Sequence, residues 1–405
     1  MEYIAKLKSI DWKKFVCFDV FFSLFIFTLP FANAYMYPFI ALSFIFFVIE
    51  KKYKTISFKA NWSLISFTVL VLFLYLQGIL NQTLFQDFRF NSKLFLIFFL
   101  LVFTLSYRWR GNGNLGEKTF ILGVNVSILI SLLSIFSFWL NNNVLPLSYG
   151  GQVNEMLSIN RPYLGIFIVT SIFMLLKNIQ LKLWSNTYYS LVVFQVLFLV
   201  FISARLALLL TLLILGIHFI NLFKNHKKKL FAFFVISLGL IALIVFNPIM
   251  QKRFKVEAGT KIDLERTLDF EPRYVIYPCN YSIIKSGIPF FGFSGERELQ
   301  AQLNQCYTER IDKKKKLDYF LSEEFHTHNA FVNFTFIGGW MALMLFVFTV
   351  FYPFISKKFN YETRLMLVIM LSFLLIENVI HSKHGATFFG LFLMYYFPNL
   401  GEDKN

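Results

Sequence analysis

Along the 405 residues, apolar positions gather into long runs, and the polar positions between them form many short breaks and one long one. The runs measure roughly 13 to 23 residues, close to what a helix needs to cross a hydrocarbon layer about 30 Å thick. They predict about twelve spans: Phe15–Leu29, Tyr35–Ile49, Trp62–Leu80, Leu94–Tyr107, Phe120–Leu140, Tyr163–Leu176, Tyr189–Ser203, Leu206–Phe223, Leu230–Phe246, Ala330–Tyr352, Leu365–Ile380 and Gly385–Phe397. In lipid the backbone finds no water to bond, so spans of this kind must be helices. The expected fold is all-α, a polytopic integral membrane protein forming a single membrane domain over residues 1–405. The long polar break, residues 247–329, is expected as a large loop inserted between the ninth and tenth spans. No cleavable signal peptide is expected, because the first run lacks a small-residue cleavage site and further spans follow.

Composition points the same way. Apolar residues make up 57% of the chain and charged residues 15%, with 55 phenylalanines, more apolar surface than a soluble protein of this length can bury. The net charge of +16 takes its meaning from its distribution. With the N-terminus in the cytoplasm, 21 of the 39 Lys and Arg fall on cytoplasmic segments. Five, Arg89, Lys93, Arg161, Arg205 and Lys383, fall on the short opposite loops. The other 13 lie in the long loop, whose length exempts it from the positive-inside rule. Both termini are therefore expected in the cytoplasm and the long loop in the periplasm. The positive excess reads as membrane orientation and contact with anionic headgroups, and no nucleic-acid partner is expected.

The loop face carries the candidate chemistry. Phe325-His326-Thr327-His328-Asn329 closes the long loop, just past Glu323 and Glu324, and opens directly onto the run Ala330–Tyr352. An imidazole can exchange a proton near neutral pH, so His328 is read as a general base or as a donor to a hydroxyl; the plainer reading is a residue of the capping turn. His326 is read as a substrate contact or an ordinary loop residue. Two histidines at i, i+2 can ligate zinc, but no third or fourth ligand stands at a zinc-like spacing, so neither metal nor cofactor is expected. Arg205, in Ser203-Ala204-Arg205, and Arg161, in Asn160-Arg161-Pro162-Tyr163, are cations at span ends, either snorkelling or binding an anion. Arg273 begins an amphipathic segment running to Ser286, which Pro278 is expected to kink or interrupt. The glycines of Gly292-Phe293-Ser294-Gly295 permit a tight turn or a close approach of backbone to a phosphate. The run Lys313 to Lys316 is a solvated loop, or a counter-charge for phosphorylated glycolipid. Cys279 and Cys306 share the loop and are candidates for a disulfide in an oxidising compartment, while Cys17 sits inside the first span.

Together these features resemble the O-antigen ligase and polymerase superfamily. The family pattern is His followed by Asn, Ser or Gln, nine residues, Gly, two residues, then Gly, Thr or Tyr. Here His328-Asn329 precede Ala330 to Gly338, then Gly339, and the last position departs from the pattern as Ala342. Ser203-Ala204-Arg205 resembles the family's polar-plus-Arg turn, and Arg273 onward resembles its loop helix and glycine turn. The resemblance implies an inverting glycosyltransferase of the inner membrane that acts on the periplasmic face. Its donor would be a glycan on undecaprenyl diphosphate and its acceptor lipid A–core. His328 would polarise the acceptor hydroxyl, with Asn329 or Glu324 orienting its ring. Arg205, Arg161 and Arg273 would meet the charge that develops on the diphosphate.

Other readings stay open. A polymerase of the same superfamily would use the same residues on a lipid-linked glycan acceptor, and a protein-glycosylating branch also exists. A lipid-linked oligosaccharide transporter suits twelve spans, with Asp19 and Glu377 as acidic residues inside them. Against it, transporters carry internal repeats and midplane ionisable groups. Here no repeat is evident, and the chemistry-bearing residues gather at one face.

Overall fold

The computed structural model describes residues 17–56, 61–107, 115–143, 154–180, 185–223, 239, 272–293, 295–356 and 361–395. Helices account for nearly all of them, and no strand occurs among the described residues. Among the described residues, six helices are long and apolar enough to cross a membrane: Trp62–Leu80, Phe88–Ser106, Leu115–Asn142, Arg161–Ile179, Arg205–Leu222 and Ala330–Ile355. Three shorter apolar ones join them: Phe18–Thr28, Ala34–Ile49 and Asn186–Phe201. Apart from Gly239, the expected span Leu230–Phe246 lies outside the described residues, as does all of the loop between it and Pro272.

The chain groups into two compact units, Met1–Ser57 with Val102–Phe198, and Phe58–Leu101 with Leu199–Asn405. In the first, α1 (Phe18–Thr28) packs against α2 (Asn33–Ile49), and the cluster Phe18, Phe22, Phe47 and Phe103 stacks between them. Buried polar groups tie its other helices together. Glu117 near the start of α5 (Leu115–Asn142) accepts from Lys177 at 2.6 Å and Asn178 at 3.2 Å, both on α6 (Arg161–Gln180). Gln195 on α7 (Ser185–Phe201) donates to Ser171 at 2.9 Å and Asn125 at 3.4 Å. Such bonds hold helices together where lipid offers no hydrophobic drive.

The second unit is built on α3 (Trp62–Leu80) lying along α12 (Ala330–Ile355). Ser66 donates to Leu345 O at 2.8 Å, and Gly338 allows close approach, since a Cβ there would meet Leu74 at 2.7 Å. Helix α12 is interrupted at Gly339, whose φ of 67° and ψ of −162° are not helical. In an unbroken helix the Trp340 N–H would bond Phe336 O. Instead Trp340 N–H donates to Phe290 O at 3.1 Å, and Phe336 O accepts from Phe293 N–H at 2.6 Å. The loop 287–293 thus threads its backbone into the break and satisfies both groups, as an interrupted helix at membrane depth requires. Only glycine fits at either side of the junction. A Cβ on Gly339 would collide with the Phe290 carbonyl, and one on Gly292 would stand 2.5 Å from Phe336 O and Gly339 N. Of the two glycines expected to allow a close approach, Gly292 makes it to α12 and Gly295 lies against Asp87.

Three further expectations change. Helix α9 (Arg273–Ser286) continues through Pro278 and is not interrupted there. Its Ile276, Cys279, Asn280 and Ile283 are buried and supply the packing that outweighs the missing N–H. Lys313 to Lys316 open a short exposed helix, α11 (Lys314–Ser322), not a bare loop. The run Leu365–Ile380 splits: α13 (Tyr361–Ile376) stops before Glu377, and a 3-10 turn, Val379–His381, leads into α14 (Lys383–Phe392). Glu377 therefore sits past a helix end, not inside a span.

Candidate active site

The loop that opens α12 is held from three directions. Phe325 packs on Phe320, with ring centroids 4.8 Å apart, and its carbonyl accepts from Tyr307 at 3.0 Å and Gln300 at 3.3 Å, both on α10 (Glu296–Arg310). Thr327 is fully buried, and its carbonyl accepts from Asn280 of α9 at 2.9 Å. Asn329 caps α12 by accepting from the N–H groups of Phe331 (2.9 Å) and Val332 (3.1 Å), while its amide donates to Leu375 O at 3.0 Å. A disulfide between Cys279 and Cys306, with Cα atoms 5.8 Å apart, fastens α9 to α10 behind the loop.

These restraints fix His328 in a left-handed backbone conformation, φ 50°, which a non-glycine residue adopts at a cost of about 1 kcal/mol or more. The strain aims the ring. Nδ1 lies 3.0 Å from a carboxylate oxygen of Glu377, and Arg273 bonds the other oxygen of the same carboxylate. A carboxylate only accepts, so Nδ1 carries a proton, and in the neutral ring Nε2 is the nitrogen with the lone pair. Nε2 is buried and meets no protein group among the described residues.

Two more imidazoles stand beside it. The rings of His326 and His328 are 4.6 Å apart and tilted by 34°, and His381 meets His326 edge-on at 4.4 Å. Lys93, on α4 (Phe88–Ser106), donates to the His381 carbonyl, and Glu296 lies 3.7 Å from His381 Nδ1. Burial, with the adjacent positive groups adding to it, pushes His326 well below its ordinary value, and it pushes His381 down to about 3. Both rings are therefore neutral near pH 7. Burial also raises the Glu296 carboxyl to about 7, with Asp87 adding to the rise and Lys93 opposing it.

The structure brings together Arg273, His326 and His328 of the expected residues. It does not bring in Glu324, which is exposed. Asn329 is committed to the cap and to Leu375, so the ring of His328 is oriented by Glu377 and not by Asn329 or Glu324. Arg205 is the first residue of α8 (Arg205–Phe223), after Ser203 in a left-handed turn (φ 54°), and none of the bonds around Glu377 reaches it. Arg161 opens α6 in the other unit and is buried there. Glu377, His381, Lys93 and Glu296 are the cluster members that sequence reasoning missed. One signal was available: an acid interrupting an apolar run, followed four and seven residues later by histidines. No group of three or more His, Cys, Asp or Glu among the described residues is arranged to hold a metal ion.

Residues 190–347 match the family model described as O-antigen ligase. The matched stretch takes in Arg205, Arg273, His326 and His328 and ends before Glu377. No curated protein matches the chain.

Proposed function

We propose that this protein is a membrane glycosyltransferase that moves a glycan from a lipid diphosphate to a sugar hydroxyl, acting at the periplasmic face of the bacterial inner membrane. In its ligase form the donor is a glycan on undecaprenyl diphosphate and the acceptor is lipid A–core. The observation that carries this reading is His328, with Nδ1 on Glu377 and a buried, lone-pair-bearing Nε2, inside the stretch that matches O-antigen ligases.

The acceptor hydroxyl gives its proton to Nε2 while its oxygen bonds to the anomeric carbon. The carbon–oxygen bond to the diphosphate breaks, and its electron pair leaves with the phosphate. Attack opposite the leaving group inverts the anomeric configuration. The imidazolium that forms is stabilised by Glu377, as in other carboxylate–imidazole pairs. A lipid diphosphate is already a good leaving group, so it needs positive charge more than an acid. Arg273 is proposed as one cation for it, since a guanidinium pairs well with phosphate oxygens. Arg205 is proposed as a second cation for the diphosphate, and His326 as a neutral wall for the sugar. Arg161 belongs to the other unit, and its role as an anion contact is tested by substitution alone.

The glycolipid profile of a strain lacking this chain tests the reading. Loss of capped lipid A–core with accumulation of long lipid-linked glycan is expected of a ligase. Single repeat units on carrier or core would instead assign a polymerase that uses the same site. An unchanged profile would remove both reactions for that glycan.

A further inference from the structure

Helix α9 carries apolar side chains on two faces, one buried and one exposed. Ile276, Cys279, Asn280 and Ile283 face α10 and are buried. Around the other side, Tyr274, Tyr277, Tyr281 and Ile284 recur at helical spacing and are exposed, Tyr281 at 66%. The chain then turns at Gly287, and Phe290 and Phe291 follow at 59% and 55% exposure. This much exposed aromatic surface on a helix and its adjoining loop marks an interaction site.

The position of the loop identifies its partner. Its backbone is bonded into α12 at Phe336 and Trp340, and Phe336 lies six residues, or about 9 Å, inside that helix from Ala330. The Phe291 ring packs 6.2 Å from Phe73, seven residues or about 10 Å inside α3 from its end at Leu80. Gln77, also on α3, donates to Phe291 O at 2.6 Å. Both α3 and α12 are among the helices apolar enough to cross a membrane. Leu76, next to Gln77 on α3, and Trp340, bonded to Phe290 on α12, are exposed beside these contacts.

We propose that α9 and the loop after it form an interfacial anchor. The tyrosine face of α9 lies in the headgroup–acyl boundary, and Phe290 and Phe291 enter the acyl layer. The partner is the bilayer itself. Tyrosine suits that boundary because its ring is apolar and its hydroxyl reaches water. The break in α12 is what lets a loop descend there without orphaning its polar backbone. Arg273 is the first residue of the same helix. On the functional reading above, the anchor therefore holds Arg273 and Glu377 at the depth of a lipid diphosphate.

Site-directed spin labelling tests this without using activity. In a Cys17→Ser background that keeps the disulfide, Tyr281→Cys, Phe291→Cys and, on exposed α11, Lys315→Cys would each carry a nitroxide in lipid nanodiscs. At 281 and 291, oxygen should relax the label more than a water-soluble nickel chelate does, and at 315 the order should reverse. Labels at 281 and 291 as open to nickel as the one at 315 would overturn the anchor in favour of a solvent-facing helix. Labels open to neither reagent would overturn it in favour of a covering protein segment. If Phe291→Cys fails to fold, Phe290→Cys reads the same depth. Loss of glycan transfer in a deletion strain bears on the functional reading alone, so either idea can fail without the other.

Discussion

Each unit buries an acidic side chain between helices, and the two are used differently. In the first, Glu117 meets Lys177 and Asn178, and its polar atoms are spent joining α5 to α6. In the second, Glu377 meets Arg273 and His328, and the set ends in a buried nitrogen that no described protein group meets. A paired buried ion acts as a tie between helices. A pair that leaves one polar atom pointing at nothing is organised for a group that arrives from outside. Burial and charge alone do not separate the two.

Substitution should separate them most sharply in activity. His328→Gln is expected to lower transfer by about 10²- to 10⁴-fold at unchanged protein level. Glu377→Gln keeps the shape but cannot balance the imidazolium, and should cost roughly 10²-fold or more. Glu117→Gln leaves Lys177 buried without its counter-charge, so it should lower stability by about 3 kcal/mol while transfer per folded molecule is unchanged. Quantified transfer in membranes, normalised to folded protein, reads all three. A structural role for His328 would appear as lost protein rather than lost turnover.

The second comparison is between a side-chain site and a backbone one. Gly339→Ala adds a clash with the Phe290 carbonyl to a left-handed φ, and should destabilise the protein by about 3 kcal/mol or more. Gly216 on α8 has no heavy atom within 4 Å of an added Cβ, so Gly216→Ala should be close to neutral. Fluorescence-detected size exclusion after graded heating measures both.

The smallest effect concerns the groups behind His328. The Glu296 carboxyl is raised from 4.5 to about 7, so its contribution to stability is full below 4.5 and is lost as pH rises through 7. His381 is depressed from 6.5 to about 3, so its contribution is present above 6.5 and is lost as pH falls toward 3. Unfolding temperature measured in nanodiscs from pH 5 to 9 should therefore bend on both sides. Glu296→Gln should flatten the bend nearer neutral pH and His381→Gln the acid one, each by a few degrees. If neither substitution changes the profile, the cluster does not titrate as its burial implies.

Much of this was legible in the chain. Trp62–Leu80 and the start of α12 at Ala330 stand where the apolar runs place them, because a lipid-facing helix must be apolar along its length. The His328-Asn329 pair could be read because an N-cap and an imidazole are local features. Glu377 was misplaced inside a span, since the apolar pattern of Leu365–Ile380 continues past it. What ends the helix there, a carboxylate turned toward Arg273 and His328, comes from residues 104 and 49 positions away. The break at Gly339 was hidden for the same reason: its missing bond is supplied by Phe290 and Phe293.

Sequence alone determined that this chain is helical and apolar enough for a membrane, and it singled out His328 and Arg273 as ionisable groups beside an apolar run. Hydropathy and side-chain ionisation are properties of residues and short windows, and no folding is needed to read them. Tertiary structure decided which carboxylate orients the histidine, which ring nitrogen is left without a hydrogen bond among the described residues and which loop repairs the broken helix. Those depend on hydrogen bonds between distant segments, and a bond only a few ångströms long is fixed by the packed chain, not by spacing along it.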